Sequence, residues 1–355
     1  MVCPYSLSLP GGVQGQVLAL ARSLRGLGHT VQVLGPCDGP PPEPGVTALG
    51  NCVPTAANGS VAPIAPDPSC ALRTIAALRA EQFDVVHLHE PLAPGPTITS
   101  LVLGSSPIVG TFHAAGVSAA YRVLRPLTCW LAHRITVRCA VSEDARALAA
   151  AALGGDYVML NNGIDGEVFA KATPWPTEAP TVLFVSRHES RKGLEVLLDA
   201  LALIPEDLRV WVASDGPETA RLKTAASGDP RVQWLGRIGD DEKARRLRGA
   251  DVLCAPSLHG ESFGMVLLEG MAAQTPVVAS DIPGYRRVAG EGAGQAALLV
   301  PPGDASALAA ALRRVLCDSA AAALVAAGDA RAVEFSMDRL AERYVELYEQ
   351  ARAAI

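Results

Sequence analysis

Short apolar runs, bounded by glycine, proline or charge, alternate along the whole chain with stretches of helical spacing. In the first half, Thr30–Leu34, Asp84–His89, Pro107–His113, Ile135–Ser142 and Val158–Leu160 have strand character. In the second half, Thr181–Val185, Val210–Ala213, Val232–Gly236, Asp251–Cys254 and Pro276–Ser280 repeat it. In the second half successive runs lie about 20–30 residues apart, room for one crossover helix each. The runs are continuous rather than alternating, as strands covered on both faces of a parallel sheet are. Val13, Val17, Leu20, Ala21, Leu24 and Leu27 predict an amphipathic first helix. Ser142, followed by Glu143 and Asp144, predicts a capped helix, and Ser336 caps a last one with Leu340, Tyr344, Leu347 and Tyr348 on one face. Met1–Pro4 has the character of a strand's end, so the first strand is expected to be unusually short or entered late. Gly35 to Gly50, rich in proline and glycine, is expected to be a surface loop.

A chain of 355 residues is too long for one ordinary core. The turn-rich Asn161–Asp165 and the proline-containing Lys171–Pro180 mark the boundary. The pattern therefore predicts an α/β protein with a Rossmann-like domain over 1–165, a second over 166–335, and a closing helix over 336–355. Both domains are expected to be doubly wound parallel sheets. Aromatics make up only 5% of the chain against 49% hydrophobic residues, so the cores must be built of Ala, Val and Leu.

A net charge of −6 without a basic block argues against nucleic acid and against strong attraction to an anionic membrane. Eight scattered cysteines without a C-x-x-C pair predict reduced thiols in a cytoplasmic protein, not zinc or a disulfide framework. No apolar stretch reaches membrane-spanning length, and no signal peptide is expected.

The chemistry concentrates in His259–Glu269, where Glu261 and Glu269 stand in an E-x7-E spacing. Residues four and seven apart share a helix face, which would aim both acids one way. The strand-like Ala250–Pro256 precedes them, so strand, glycine-rich turn and helix start follow in the order that α/β sheets use to bind nucleotides. Two solvated glutamates beside a core helix is the bland alternative. Gly11 and Gly12, between first strand and first helix, would let backbone N–H groups approach a phosphate. Arg187 and Lys192 follow a strand and would neutralise a diphosphate leaving group as charge builds on it. His113 ends a strand, where it would meet a sugar hydroxyl or serve as an ordinary structural histidine. His87 and His89 alternate on one strand without a third metal ligand at suitable spacing and are taken as structural.

Together, Pro10–Gln14, Asn58–Ala62, His87–Pro91, Thr111–His113, Arg187 with Arg191–Gly193, and Gly260–Gly264 resemble the family 4 retaining glycosyltransferases of GT-B fold. Within them, the N-terminal motifs resemble the actinobacterial enzymes that mannosylate phosphatidylinositol. The resemblance implies two Rossmann-like domains facing a central cleft, with the last helix returning to the N-terminal domain. It implies that Gly11, Gly12, Arg187 and Lys192 hold the diphosphate. It puts Glu261, Ser262, Phe263 and Gly264 at the donor sugar, Glu269 at the ribose, and Ile238, Asp240 and Lys243 at a guanine. His113 matches a histidine near the reacting carbon, and Tyr5, Gln14, Asn58 and Ser60 match acceptor positions.

The implied reaction is metal-independent, needs no cofactor beyond the nucleotide sugar, and transfers a hexose with retention, mannose from GDP-mannose being favoured. The implied acceptor is a hydroxyl of an inositol-lipid-like or other polyol. A UDP-sugar enzyme acting on a soluble phospho-polyol or natural product is the alternative, as is a GT-B nucleotide-sugar-binding protein without turnover. Placement is expected to be cytoplasmic, with weak peripheral contact at the inner face of the plasma membrane at most.

Departures from the subgroup concern the acceptor. Pro63 and Ser118 stand where the subgroup carries an arginine and a lysine, and Ala114 replaces a hydroxyl residue. Each lost cation removes charge-assisted hydrogen bonds of about 1.5–3 kcal/mol. Ser69–Gln82, aligned with a polybasic membrane helix, keeps only Arg73 and Arg79, so membrane attraction of about 1 kcal/mol per basic residue is mostly gone. Ser186 and Ser214 replace turn glycines, a change expected to be tolerated.

Overall fold

The computed structural model describes residues 1–9, 11–57, 60–113, 125–261, 263–317 and 320–354, without the side chains of 54–57, 60–62, 125, 293 and 320. The chain forms two compact units, Met1–Gly163 with Met337–Ile355, and Ile164–Ser336.

In the first unit, β1 (Val33–Gly35) pairs in parallel with β2 (Val46–Ala48). An antiparallel hairpin, β3 (Val53–Ala57) and β4 (Ser60–Ile64), follows. Then β5 (Val86–His89), β6 (Ile108–Phe112), β7 (Val137–Ala140) and β8 (Val158–Met159) form a parallel row. Val2 makes isolated parallel bridges to Leu34 on β1 and Leu88 on β5, joining the rows. Counting Val2 as the first strand, the winding reverses between it and β5, which is the doubly wound order. Val2 thus stands at the first strand's place as a single bridging residue. Beside Met1 lies a cavity of about 490 Å³ lined by Thr30–Gln32, Phe83–Val85, Tyr348 and Arg352, among others.

The expected surface loop over 35–50 needs correction, because it carries β2. Val46–Ala48 is three residues long and only half-buried, too short for its apolar pattern to emerge from the glycines and prolines around it. The hairpin β3–β4 escaped notice for a related reason. Its two prolines, Pro54 and Pro63, look like breakers but sit opposite one another in the ladder.

Helix Met337–Ala353 belongs to the first unit. It buries Met337, Ala341, Tyr344, Leu347 and Ala351 against Leu20, Leu24, Val109, Cys139 and Leu160. Its two inner tyrosines are also tied by hydrogen bonds. Tyr344 Oη lies 2.9 Å from Thr111 Oγ1, Tyr348 Oη lies 2.8 Å from His87 Nδ1, and His87 Nε2 lies 2.8 Å from Thr111 Oγ1. His87, Thr111 and Tyr344 are buried and Tyr348 is half-buried, so the inner groups satisfy one another away from water.

The second unit carries β9 (Thr181–Val185), β10 (Arg209–Ala213), β11 (Val232–Gly236), β12 (Val252–Ala255), β13 (Val277–Ser280) and β14 (Leu298–Val300). All pair in parallel in the order β11-β10-β9-β12-β13-β14. Cores of leucine, valine and alanine cover both faces, which is why these strands are continuously apolar. The winding reverses between β9 and β12, so the crevice beyond their carboxyl ends is where an open sheet of this kind binds ligand.

Candidate active site

At that reversal the chain leaves β9 and makes a single tight turn, Ser190–Lys192, before helix Leu194–Leu201. Gly193 joins them at φ +69°, and a Cβ there would lie 1.9 Å from the carbonyl oxygen of Pro256 beyond β12. Only glycine meets both demands, and its closeness presses Lys192 against the far strand's end. There the ammonium of Lys192 bonds Glu261 Oε1, with only 15% and 13% of the two side chains exposed. The same oxygen accepts from Ser257 Oγ at 3.1 Å and lies 3.6 Å from Arg191 Nη1. Ser257 Oγ also lies 2.9 Å from Tyr285 Oη. Arg191 Nη1 donates to Gly260 O at 3.2 Å. Beneath, a Cβ on Gly284 would meet Glu261 O at 2.1 Å, so the main chain of Glu261 is held as firmly as its carboxylate.

Glu269 lies elsewhere, within helix Met265–Ala272, and pairs with Lys243 Nζ at 2.9 Å. As the sequence order of glycine-rich turn and helix start implies, Glu261 lies in the turn and Glu269 in the helix. Glu261 precedes the helix, separated from it by Gly264 at φ +96°, and the two acids hold different cations. Asp240 and Lys243 sit on the opening turns of helix Asp240–Gly249, and Ile238 is half-buried in the short loop before it. Asp240 has 97% of its side chain exposed, with Oδ1 3.7 Å from Lys243 Nζ. Burial works to lower the lysine's pKa, but Glu269 and Asp240 outweigh it and leave it raised, so Lys243 stays charged. Arg187 bonds Glu189 at 3.1 Å and is more than half exposed. Phe263 is buried edge-on to Phe335, and Ser262 lies outside the described residues.

In the first unit, helix Gly12–Gly26 begins at Gly12 with Gly11 as its extended N-cap. Nothing lies within 4 Å of where a Gly12 Cβ would stand, so packing does not require this glycine. Tyr5 bridges Ile64 on β4, and burial ahead of the Glu90 charge pushes its hydroxyl pKa up. Gln14 is buried and donates to Ser6 O at 3.3 Å. Ser60 opens β4, while Asn58, Ala114 and Ser118 fall outside the described residues. Pro63 accepts from Ser6 N at 3.0 Å through its carbonyl. Arg73 donates to Leu49 O at 2.6 Å, so one of the two basic residues kept on helix Pro68–Ala80 is engaged in holding a loop.

His113 follows β6. Its ring Nε2 lies 3.0 Å from His89 Nδ1, and its main-chain N–H donates to the carboxylate of Glu90. Burial holds its pKa down to about 4 and, acting first and joined by nearby positive charge, holds His87 and His89 well below 6.5. In the unfolded chain each would take a proton near pH 6.5. Below that value the unfolded state binds protons the folded state refuses, so stability is lost as pH falls from about 6.5 through about 4. His113 alone should contribute a loss of about 1–2 kcal/mol at pH 5 relative to neutrality. Thermal unfolding across this range checks it: a midpoint unchanged between pH 7 and pH 5 would remove the argument.

Comparison with known proteins bears on both units. Residues 10–168 match Glycosyltransferase Family 4, and residues 179–318 match Glycosyl transferases group 1. The phosphatidyl-myo-inositol mannosyltransferase of Mycobacterium leprae is 40% identical over 364 residues, covering 98% of this chain and 96% of that protein. The protein of the same name from Mycolicibacterium smegmatis is 40% identical over 369 residues, covering 100% and 94%. The chain belongs to glycosyltransferase family 4.

Among solved structures, Anabaena HepE in complex with UDP and glucose matches this glycosyltransferase with a TM-score of 0.73 at 19% identity, covering 98% of each chain. Sucrose-phosphate synthase from Thermosynechococcus elongatus matches at 0.71 and 24% identity, covering 97% and 94%. These likenesses establish the GT-B fold, with its two doubly wound units. Being a glycosyltransferase, the enzyme takes a nucleotide-sugar donor and a hydroxyl acceptor. No helix among the described residues is long and apolar enough to cross a membrane, and none of their His, Cys, Asp and Glu side chains cluster in threes to hold a metal ion.

Several residues of the glycosyltransferase's site have no signature of their own in the sequence. Ser257 donates to Glu261, Tyr285 contacts Ser257 and Gly284 passes close to the main chain of Glu261, but only the fold brings them there. Glu90 is the exception, because a proline follows it directly at a strand's end and its φ of +48° is rare for a residue with a side chain. Ser214, one of the serines in place of a turn glycine, likewise adopts φ +88°.

Proposed function

We propose that this glycosyltransferase transfers mannose from GDP-mannose, with retention and without a metal, to a hydroxyl of an inositol-lipid-like acceptor. The observation that carries the reading is the Lys192–Glu261 pair at the reversal of the second sheet, in a chain 40% identical end to end to enzymes named for this transfer. Without donor, each member neutralises the other, so neither is buried as a lone charge. A diphosphate competes for Lys192 and, with Arg187 beside it, spreads the negative charge that builds on the leaving group. Glu261, released, accepts from hydroxyls of the sugar. The anomeric carbon–phosphate oxygen bond breaks, the acceptor oxygen bonds the carbon on the same face, and its proton passes to the departing phosphate, releasing GDP. Lys243, held by Glu269, and exposed Asp240 supply a cation and an acceptor for a guanine edge and a ribose hydroxyl. Gly12 opens a helix, with nothing within 4 Å of where a Cβ would stand, and a helix start of this kind suits a phosphate.

Calorimetric titration with GDP, UDP and GDP-mannose in the absence of metal tests the donor. Binding of GDP at least tenfold tighter than UDP is expected; a preference for UDP would remove the GDP-mannose reading. A soluble polyol or phospho-polyol acceptor is the second reading. Pro63 favours it, because a proline on β4 supplies no charge to a lipid phosphate where the resemblance to the inositol-lipid subgroup implies an arginine.

A further inference from the structure

His89 and Glu90 are consecutive, and both grip His113. β5 and β6 are adjacent parallel strands in which His89 faces Thr111, so His113 leaves β6 one step beyond the end of the ladder. The His89 ring reaches it sideways, Nδ1 to Nε2 at 3.0 Å, with the two rings nearly parallel at 28° and their centroids 5.2 Å apart. Glu90 turns back through its left-handed φ of +48°, taking a hydrogen bond from His113 N–H on its carboxylate and giving its own N–H to Thr111 O at 2.8 Å. Such a conformation in a residue with a side chain is strained by about 1–3 kcal/mol and persists only where its surroundings enforce it. Both gripping residues are buried, at 2% and 5% exposure. His89 Nε2 has no partner among the described residues; it lines a small cavity with Gln16, Asn161 and Tyr344. The ring of His89 therefore has His113 as its directional partner there, with no second hydrogen bond to compete.

From this geometry we infer that His89 is a positioning residue, which with Glu90 fixes the ring and main chain of His113 and locks its imidazole in one neutral tautomer. The inference rests on the proposed function and on the family resemblance, which matches His113 to a histidine near the reacting carbon. One hydrogen lies between His89 Nδ1 and His113 Nε2. His89 Nε2 is buried without a partner among the described residues, where a bare nitrogen is tolerated better than an orphaned N–H. His89 therefore carries its hydrogen on Nδ1 and donates it to His113 Nε2, which leaves the His113 hydrogen on Nδ1. A histidine free to exchange tautomers would present the wrong group part of the time, and a free ring would swing away from the reacting atoms.

The test uses the full chain and the variants His89→Phe, His89→Asn, His113→Ala and the double variant His89→Phe with His113→Ala. Nitrogen-15 spectra of the histidine rings, recorded without ligand, should show His113 as a single neutral tautomer that becomes a mixture in His89→Phe. His89→Asn, whose amide reaches the place of Nδ1, should restore it. With GDP-mannose and phosphatidylinositol vesicles, kcat should fall about 10–100-fold in His89→Phe. KM for the donor and the affinity for GDP should stay within about twofold of wild type on the same footing, because the donor groups lie on other residues. His89→Asn should recover most of the rate, and the double variant should be no slower than His113→Ala. A mixed tautomer in the wild type, a wild-type rate in His89→Phe, or losses that multiply in the double variant would each overturn the inference. Wild-type turnover in His113→Ala, with the tautomer shift intact, would instead remove the catalytic reading of His113 and leave its positioning by His89 standing.

Discussion

Lys192→Ala should lower kcat by about 10²–10³-fold, the loss seen when one donor to a developing anion is removed. The argument starts from position. Lys192 is delivered to the winding reversal of the second sheet by the close approach of Gly193 to Pro256, and it meets Glu261 with little water around either. Charge on the diphosphate grows as the sugar departs, so its partner contributes more to the transition state than to ground-state binding. The affinity for GDP should accordingly fall less than the rate does. Stability should fall by about 1–3 kcal/mol, because Glu261 then lacks its main cation while keeping Ser257 at 3.1 Å and Arg191 at 3.6 Å. Steady-state kinetics with a matched melting curve decide the matter: turnover within tenfold of wild type would show that this crevice is not where the bond breaks.

Gly193→Ala should be nearly as damaging without altering a single functional group. The added Cβ is both in a backbone region that side chains disfavour and 1.9 Å from a main-chain oxygen that cannot rotate aside. A left-handed alanine alone costs about 1–2 kcal/mol, and the overlap forces the two strand ends apart, for a total of about 2–4 kcal/mol. Any displacement carries Lys192 away from Glu261, and misplacement by an ångström can cost about 10²-fold in rate. Gly228→Ala is the control, with nothing within 4 Å of the new methyl and no left-handed backbone. A Gly193→Ala protein with wild-type melting and wild-type turnover would mean that the approach to Pro256 does not set the site.

Legibility differed by residue for physical reasons. β9 and β13 lie where their apolar runs put them, because strands buried on both faces admit few polar residues and so announce their ends. β14, three residues at the sheet's margin, and β2 inside a proline-rich stretch bury too little to leave a pattern. Lys192 and Glu261 are visible as a cation after one strand and an acid after another; that they bond each other requires knowing that β9 and β12 are neighbours. The glycine-rich turn at Glu261 and the helix carrying Glu269 were legible from the glycines and the apolar run. The separate cations that the two acids hold, Lys192 and Lys243, come from elsewhere in the chain and leave no mark in that segment. His89 was readable only as a strand histidine without a metal partner. Its bond to His113 joins residues 24 apart in sequence, and periodicity along one strand is blind to what the next strand holds.

The last helix, Met337–Ala353, fills a slot in a sheet whose strands are all made before residue 160. During synthesis the ribosome must therefore add the whole of Ile164–Ser336 before the first half of the molecule can close. At about 5–20 residues per second, that wait is on the order of ten to thirty seconds. Through it, the groove that will receive Tyr344 and Leu347 stands open on the nascent chain, while the second half has everything it needs to fold. The order of completion is thus the reverse of the order of manufacture. A ribosome that stalls before the last helix is made would release a polypeptide with a finished second unit and an unfinished first one, a natural client for chaperones and proteases.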